Sequence, residues 1–417
     1  MNKIKAIKGT TDILPGDIET WQFIEQAIRE TMSLYGFHEL RVPIFEETGL
    51  FARSIGEDTD IVGKEMYTFS DLGGRSLTLR PEGTASVVRA FIEHSLDQRG
   101  LPQKLWYTGP MFRQERPQKG RQRQFHQFGV EVLGSEDIRV DVEVMLLFNA
   151  VCTKLGLDDC EFLINSLGGT ESRTAYRDAL VAYLDTIKDE LCTDCKRRKE
   201  TNPLRVLDCK VPACTEVLAS GNLPRTVDYL TEQDRGDFEG IQRFLIDSDV
   251  RFSCDYSMVR GLDYYTGTVF EVHYQGLGSQ SAIMGGGRYD RLIAELGGPM
   301  LPAVGFACGI ERLILAMKYA GKTVCDTNAI QVYFITVDDN SRKKVLGYLQ
   351  KIRALGIPAD CDYLGKSMKA QMRAASRCGA RYAVIIEPED DKFTVRDMEL
   401  SSQESMSFDE LVKKVTK

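Results

Sequence analysis

Long apolar runs are missing from this 417-residue sequence, and no stretch approaches the roughly 20 residues that a membrane-spanning helix needs. The opening residues also lack the apolar core and the small-residue cleavage site of a signal peptide. Internal repeats and low-complexity segments are absent as well. At about 150 residues per domain, we expect two or three globular domains, a cytoplasmic location and no membrane partner.

Histidine is scarce, and none of the four histidines is spaced for a metal pair or a nucleophile–base couple. We expect His126 to make a structural hydrogen bond. Cysteine is not scarce, but its odd count of 11 does not suit a disulfide framework. Four cysteines follow a C-x2-C and C-x4-C pattern that fits either a tetrahedral structural zinc site or a group of reduced thiols: Cys192, Cys195, Cys209 and Cys214.

The charge balance excludes little. A net charge of -8 does not indicate a protein that coats a polyanion over its whole surface. A large enzyme can nevertheless bind RNA through a local basic surface. The composition therefore leaves a nucleic-acid substrate open.

The first third of the chain predicts a helix, an edge strand and a long hairpin. Apolar residues at helical spacing from Trp21 end near Tyr35, where Gly36 suits a helix C-terminus. A run of strand formers covers residues 37–45, and its proline suits an edge or interface strand. Two further strand-like runs, KLWYTGPMFRQE and RQFHQFGVEVLG, are joined by a basic segment and predict an antiparallel hairpin.

Alternation of side chains along the hairpin separates a packing face from a chemical face. Phe125, Gln127 and Glu131 fall on one face, whereas the residues between them fall on the other. By the same rule, Arg113 and Glu115 share one face of the first strand. We expect the face with Phe125, Gln127 and Glu131 to carry the site.

The rest of the chain predicts an insertion and a second domain. Residues from about 170 to 250 are charge-rich and lack strand patterns, which predicts a mainly helical insertion. Strand patterns return over residues 255–274, and GFACGIERLILAMKYAG predicts a strand that leads into a helix. After about residue 325, strands alternate with helices, as is typical of a small α/β domain. We expect an α+β protein with domains at 1–325 and 326–417.

The segment RGLDYYTG, from Arg260 to Gly267, resembles a signature of the histidyl-tRNA synthetase family. Three further segments resemble the motifs of class II aminoacyl-tRNA synthetases in their usual order: the helix and strand near VPIFE, the FRQE hairpin and GFACGIERL. The resemblance covers essentially the whole chain. It implies an antiparallel-sheet catalytic domain with a helical insertion, and a C-terminal α/β anticodon-binding domain. It also implies ATP-dependent activation of histidine, its transfer to the 3′-terminal adenosine of tRNA(His), and a homodimer built through the first motif.

The chemistry of that reaction explains why arginines are expected in the site. The histidine carboxylate must approach the negatively charged α-phosphate of ATP, so the site needs cations and positioning more than it needs a base. Arginine binds phosphate with a planar fork and stays charged. The resemblance implies that Arg113 and Arg260 hold the α-phosphate and act in catalysis, and that Arg121 and Arg312 hold the γ-phosphate end.

The remaining site residues concern the adenine and the histidine. The resemblance implies that Phe125 stacks on adenine, that Glu115 lies near the nucleotide, and that Mg²⁺ accompanies the phosphates. A neutral imidazole offers one donor and one acceptor, which a carboxylate and a carboxamide can match. The residues implied to bind histidine are Glu82, Gly83, Thr84, Arg113, Gln127, Glu131, Arg260, Tyr264 and Tyr265.

Two other functions fit parts of this pattern. A histidine-sensing regulatory subunit of ATP phosphoribosyltransferase resembles the catalytic domain alone, generally with eroded motifs and no anticodon-binding domain. A nucleic-acid-binding protein that retains only the fold is the second alternative. The presence of Arg113, Arg260 and Arg312, with a further domain after residue 325, favours the synthetase over both.

Overall fold

The computed structural model describes most of the chain. It leaves out residues 1–2, 57, 58, 60, 119, 208, 210, 260, 261, 323, 325–329, 388–391 and 417, and the side chains of residues 220, 279 and 280. The chain forms two compact units, Met1–Val324 and Cys325–Lys417. None of the helices in the described ranges combines the length and apolar character that a membrane span requires.

The first unit mixes helices and strands. Its helices are α1 (Ile18–Leu34), α2 (Thr48–Ile55), α3 (Thr84–Glu93), α4 (Ile138–Lys154), α5 (Thr170–Thr186), α6 (Thr193–Thr201), α7 (Pro212–Ser220), α8 (Glu232–Asp247), α9 (Leu292–Glu295) and α10 (Ile310–Tyr319). Its strands are β1 (His38–Glu39), β2 (Phe45–Glu47), β3 (Tyr67–Ser70), β4 (Ser76–Leu79), β5 (Gln103–Phe112), β6 (Gln124–Leu133), β7 (Cys160–Ser166), β8 (Phe252–Cys254), β9 (Thr266–Tyr274), β10 (Ala282–Arg288) and β11 (Ala303–Gly309).

Eight of these strands form one sheet in the order β1-β5-β6-β11-β10-β9-β7-β8, and β2-β4-β3 form a small second sheet. The large sheet is antiparallel except at the β1–β5 and β7–β8 pairs. The predicted hairpin is β5–β6, and β6 continues into the sheet by pairing with β11, where Glu131 lies opposite Gly305. The predicted α+β fold with a largely antiparallel catalytic sheet is therefore confirmed.

One face of this sheet packs on helices. Phe128, Val130 and Val132 of β6 are buried there with residues of α1, α4, α8 and α10. The ring of Phe128 lies edge-on to Phe306 of β11, with ring centroids 5.5 Å apart. These are the hairpin residues that alternation assigned to the packing face. The opposite face of β6 is consequently available to the site.

Two strand predictions were too long near the first and second motifs. Residues 37–45 form no continuous strand, because β1 ends at Glu39 and β2 begins at Phe45. Pro43 lies between them and has no backbone N–H for a sheet hydrogen bond. The first hairpin strand ends at Phe112, so residues 113 to 115 lie in the loop beyond it rather than on a strand face.

The strand predicted over residues 255–274 was also wrong in extent. The described residues between β8 and β9, 255–259 and 262–265, lie in no strand, and β9 begins only at Thr266. Tyr264 and Tyr265 therefore belong to a loop and not to a strand. Helix α1, by contrast, ends at Leu34 as its spacing predicts, and Gly36 adopts a φ of 71° just beyond it.

The described residues between β7 and β8 form helices α5 to α8 with short 3-10 turns at Pro203–Val206 and Thr226–Tyr229. This segment has a small core of its own, which includes Tyr176, Leu180 and three of the four clustered cysteines. Helix α8 instead packs into the core of the large sheet through Ile241 and Leu245. The insertion thus combines a separate subdomain with a helix of the main core.

The second unit contains the strands β12 (Val332–Thr336), β13 (Ala359–Cys361), β14 (Tyr382–Ile386), β15 (Phe393–Asp397) and β16 (Gln403–Met406), and the helices α11 (Asp339–Arg353), α12 (Met368–Arg377) and α13 (Phe408–Val415). Its sheet order is β13-β12-β14-β15-β16, parallel at first and antiparallel from β14 onward. Three strands, β14 to β16, follow one another before the last helix, so the predicted alternation of strands and helices ends there. The alternating pattern predicted for this α/β unit is otherwise present.

Candidate active site

A cavity of about 420 Å³ lies where the end of the hairpin meets β10, β11 and the start of α10. It brings together side chains that are almost 200 residues apart in the sequence. All five residues predicted to bind ATP line it, together with one further residue predicted to bind histidine: Arg113, Glu115, Arg121, Phe125, Arg312 and Gln127.

Arginines, an acid and an aromatic ring meet at the hairpin side of the cavity. The Arg113 Nε donates to the carbonyl of Pro81 over 3.0 Å, and its Nη1 lies 3.9 Å from Glu115 Oε1. Arg121 Nη1 lies 3.3 Å from the other oxygen of Glu115. The guanidinium carbon of Arg113 is 5.2 Å from the centroid of the Phe125 ring. Such a set can bind an anion through the arginines and a planar base through the ring.

Arg312 supplies a further cation from the first turn of α10. Its Nη1 donates to the carbonyl of Ala282. Burial lowers the pKa of Arg312, and the nearby Arg121 lowers it further through like-charge repulsion. An anion bound between the two arginines would relieve that repulsion. This side of the cavity therefore suits a polyphosphate.

His126 lies on the packing side of the hairpin. Its Nδ1 is 3.0 Å from Glu311 Oε1, and its backbone N–H donates to the same carboxylate over 2.9 Å. The imidazole ring also packs edge-on against Trp21, with centroids 4.8 Å apart. His126 therefore makes the hydrogen bond that we expect for it.

A buried carboxyl group lies further along β6. Glu131 accepts hydrogen bonds from the Thr84 hydroxyl, over 2.7 Å, and from the Tyr289 hydroxyl. Burial raises the pKa of Glu131 to about 8, although both hydrogen bonds act to lower it. A Cβ atom on Gly305, on the neighbouring strand, would lie 1.9 Å from Glu131 Oε2. The carboxyl group therefore fits only because that position is glycine.

A second buried acid lies at the N-terminus of α3. Glu82 accepts hydrogen bonds from the backbone N–H of Thr84, over 2.6 Å, and of Ala85, over 2.9 Å. Burial raises the pKa of Glu82, and these backbone donors oppose that shift. A Cβ on Gly83 would lie 2.2 Å from the ring of Tyr107, so glycine is required at this position too. The PEGT segment is thus held tightly around its acid.

Tyrosines enclose the two acids. The rings of Tyr264 and Tyr265 have centroids 4.7 Å apart, and Tyr264 meets Tyr289 edge-on at 5.6 Å. The Gln127 Oε1 is buried and has no hydrogen-bond partner within the described part of the chain. Buried polar atoms without partners are rare in folded proteins, and beside a cavity they indicate a ligand position.

The structure thus joins the residues predicted for histidine into one polar, aromatic cluster beside the cavity, with three exceptions. Arg260 lies outside the described residues, as does Gly261 beside it. Arg113 and Gln127 line the arginine-rich cavity rather than the tyrosine cluster.

Three neighbouring residues were not predicted from the sequence. Tyr107 and Tyr289 border the acids, and Arg205 of the insertion lines the cavity. A period-two pattern could have placed Tyr107 on the chemical face of β5, because it pairs with Gly129 of β6. No local pattern distinguishes Arg205 from the other arginines of the insertion.

The four clustered cysteines of the insertion are close together. The Sγ atoms of Cys192, Cys195, Cys209 and Cys214 all lie within 4.8 Å of one another. The sulfurs of a tetrahedral zinc site with Zn–S bonds of ~2.3 Å are about 3.8 Å apart. The Cys192 backbone N–H donates to Cys214 Sγ over 3.0 Å, and a backbone hydrogen bond from Cys195 lowers the pKa of Cys192 to about 7. The group therefore has the donor set and spacing of a four-thiolate metal site.

These features together are those of a class II aminoacyl-tRNA synthetase: a largely antiparallel sheet whose hairpin and neighbouring strands surround an arginine-lined cavity, followed by a separate α/β unit. A family model described as histidyl-tRNA synthetase matches residues 9–313, and one described as anticodon binding domain matches residues 331–417. The chain belongs to the histidyl-tRNA synthetase family.

Individual relatives agree over the full length. A protein of Halothermothrix orenii named histidine–tRNA ligase is 48% identical over 417 residues, which are 99% of each chain. The crystal structure of apo histidyl-tRNA synthetase from S. aureus has a TM-score of 0.85 at 38% identity and covers 100% of both chains. A Bacillus halodurans structure described as an ATP phosphoribosyltransferase regulatory subunit/histidyl-tRNA synthetase has a TM-score of 0.68 at 23% identity, over 90% of this chain and 97% of that one. That last likeness concerns the fold alone.

Proposed function

We propose that this protein is a histidine–tRNA ligase, which forms histidyl-adenylate from histidine and ATP and then transfers histidine to the 3′-terminal adenosine of tRNA(His). The observation that best supports this proposal is that two chemically different parts of the site lie side by side. An arginine-lined cavity suited to a nucleotide adjoins a buried cluster of acids, an amide and tyrosines suited to an amino acid. Gln127 lines the cavity from the strand that carries Glu131, so the two substrates would meet there.

We assign the nucleotide to the arginine side. Arg113 and Arg260 would hold the α-phosphate, and Arg121 and Arg312 would hold the γ-phosphate end. Stacking of adenine on the Phe125 ring would fix the base, with Glu115 orienting the arginines through the ion pairs described above. This chemistry needs no general base, since the histidine carboxylate is already ionised at neutral pH.

Mg²⁺ would accompany the ATP phosphates and help to neutralise their charge. The residues present fit this cation, because the carboxylates of Glu65, Glu115 and Glu311 line the cavity and Mg²⁺ prefers oxygen ligands. The cavity also provides the cationic side chains that the remaining phosphate charge requires.

We assign histidine to the buried cluster. Glu131 would accept the imidazole N–H, the side-chain amide of Gln127 would donate to the other ring nitrogen, and Glu82 with Thr84 would hold the α-ammonium group. Tyr264 and Tyr265 would close the pocket. A site built to pair a buried donor and acceptor rejects amino acids that lack them, because their polar partners would remain unsatisfied.

Zinc is the group that we propose for the four cysteines. Four protein thiolates leave no open coordination position, so its role would be structural. We expect about one zinc per chain by elemental analysis of the protein purified without added chelator. Four freely reactive thiols in metal-free folded protein would contradict this assignment.

The second unit would bind the anticodon of tRNA(His), and the protein would work as a cytoplasmic homodimer. Support for the dimer comes from the segment that resembles motif 1. A groove of about 720 Å³ there is lined by residues that include Leu40, Val42 and Pro43, and Ile44 and Phe45 nearby are 45% and 51% exposed. Analytical ultracentrifugation should give twice the mass of one chain.

One assay distinguishes the ligase from the two alternative functions. We expect histidine-dependent exchange of pyrophosphate into ATP, followed by charging of purified tRNA(His). A regulatory subunit would bind histidine without either reaction, and a protein with only the fold would show neither binding nor exchange. The regulatory function is not favoured, because the relatives named above that match nearly the full chain above 35% identity carry synthetase or ligase names.

A further inference from the structure

The insertion binds the loop that carries the histidine signature. Asp263, within RGLDYYTG, accepts hydrogen bonds at its Oδ1 from Asn202 Nδ2, over 2.9 Å, and from Arg205 Nε and Nη2, over 2.9 and 2.7 Å. Both donors belong to the insertion. The Arg205 side chain is 11% exposed and that of Asp263 is 29% exposed, so the ion pair is largely shielded from solvent. Shielded charge-assisted bonds of this kind are stronger than surface ion pairs.

Asp263 immediately precedes the tyrosines of the proposed histidine pocket. Tyr264 contacts Tyr289 edge-on, and the Tyr289 hydroxyl donates to Glu131. The backbone N–H of Asp263 reaches the Ile55 carbonyl only over a long 3.4 Å bond. The side-chain bonds from the insertion are shorter than this backbone bond and restrain Asp263 from the side of the insertion.

The same two insertion residues lie between the two pairs of cysteines. Asn202 follows α6, which begins next to Cys192 and contains Cys195, and Arg205 lies in the 3-10 turn before Cys209. The neighbouring Val206 packs with the cysteines in the small core of the insertion. A core of this size usually needs a metal or cross-link to hold one conformation. Closing the four-cysteine site would therefore hold Asn202 and Arg205 in place.

We infer that Asn202 and Arg205 are positioning residues that order residues 262–265 of the signature segment through Asp263, and that the metal held by the four cysteines sets their position. Metal occupancy in the insertion then controls the affinity of the site for histidine. This inference rests on the proposed histidine and zinc sites. It links them through one ion pair and two hydrogen-bonding residues.

The first test leaves the cysteines intact. The variants Asp263→Asn and Arg205→Ala should each raise the histidine Kd about tenfold by calorimetry, since each removes a charged partner from a shielded pair. Their metal content should equal that of the parent protein. The control is Lys196→Ala, which removes an exposed cation from α6 of the same insertion and should leave the histidine Kd unchanged. An unchanged histidine Kd in both Asp263→Asn and Arg205→Ala would overturn the inference.

The second test asks whether the metal affects histidine binding through the contacts of Asn202 and Arg205 with Asp263. Removal of the metal from the parent protein by a chelator should weaken histidine binding about tenfold, and re-addition of zinc should restore it. In the Asp263→Asn background, metal removal should weaken binding by less than about twofold, because the link is already broken. Fully additive effects would overturn the coupling.

Two measurements distinguish a failure of this inference from a failure of the proposed function on which it rests. Absence of histidine-dependent pyrophosphate exchange in the parent protein would be a failure of the proposed function. Equal weakening of histidine and ATP binding in Asp263→Asn would indicate general damage to the site and would overturn the positioning role. Normal exchange with selectively weakened histidine binding would support it.

Discussion

At the residue scale, burial determines how Glu131 behaves. Its pKa is raised from 4.5 to about 8 because burial disfavours the charged form. An imidazole N–H donated to this carboxyl group would favour the ionised form and lower the pKa again. Histidine binding near neutral pH should consequently release a proton from the site.

The same shift predicts how stability depends on pH. Between pH 4.5 and about 8, the folded protein keeps the Glu131 proton that the unfolded chain has released. The contribution of this group to the free energy of unfolding therefore falls as the pH rises through that window. Glu131→Gln cannot ionise, so its Tm relative to the parent should be higher at about pH 8 than at about pH 5. Calorimetric scans of both proteins across that pH range measure this difference in Tm.

The exposed Glu216→Gln is the matched control and should follow the parent protein at each pH. Glu131→Gln and Glu131→Ala should also lower kcat/KM for histidine, by about one to two orders of magnitude for the alanine variant. Unchanged histidine kinetics would refute the role of Glu131 in recognition, whatever the stability data.

Arg260 is expected to act on the transition state. Its motif suggests a position where negative charge concentrates as the carboxylate attacks the α-phosphate. Loss of one such donor typically costs ~2.7–4 kcal/mol, about a hundred- to a thousandfold in rate. Arg260→Ala should therefore lower kcat for adenylate formation far more than it raises KM for histidine, and Arg260→Lys should recover only part of the rate. Single-turnover adenylate formation at saturating ATP and histidine measures this. A near-normal rate with weakened binding would mean that Arg260 positions the ground state.

At the scale of elements, glycine allows the strands around the site to approach one another. On β11, an added Cβ at Gly305 would lie 1.9 Å from Glu131 Oε2 and 2.3 Å from the Val130 carbonyl. Neither neighbour can move far, because one belongs to the paired strand and the other is buried and hydrogen-bonded. A side chain at this position must displace the carboxyl group of the site.

Gly305→Ala should therefore destabilise the protein by about 1–3 kcal/mol and raise KM for histidine about tenfold. The control is Gly236→Ala in α8, where nothing lies within 4 Å of the added Cβ. That helical replacement should stabilise the protein by about 0.5–1 kcal/mol and leave KM unchanged. Thermal unfolding and pyrophosphate exchange measure both variants. Equal histidine kinetics in the two would contradict the close approach at Gly305.

The sequence predicts helices and strands well where a regular spacing of apolar residues extends over many positions. It predicts them poorly where a strand ends in a loop. Helix α1 and the alternating elements of the second unit follow from spacing alone. Spacing did not predict the non-strand conformation of the segment around Pro43 or of the described residues just before Thr266, because strand-forming residues also occur in buried loops. In particular, the aromatic pair Tyr264 and Tyr265 is typical of a strand but packs from a loop.

At the scale of the whole molecule, the two units are expected to divide the reaction. The residues assigned to ATP and histidine all precede residue 325. Truncation after about Ala329 should leave histidine-dependent pyrophosphate exchange largely intact and sharply reduce charging of tRNA(His), because the removed unit is the one we assign to the anticodon and contains no residue that we assign to ATP. Both partial reactions are measured on the same preparation, with circular dichroism to verify folding. Equal loss of both reactions in folded truncated protein would contradict this division.

The sequence by itself determined the family, the hairpin, the α/β character of the second unit and most of the proposed site. Motif residues are read directly from the chain, and helical and strand periodicity are local properties. Only the tertiary structure decided which distant residues meet. Tyr289 reaches Glu131 across 158 positions, and Arg205 reaches Asp263 across 58. Such contacts depend on how sheets and helices pack together, and no local pattern in the sequence records that packing.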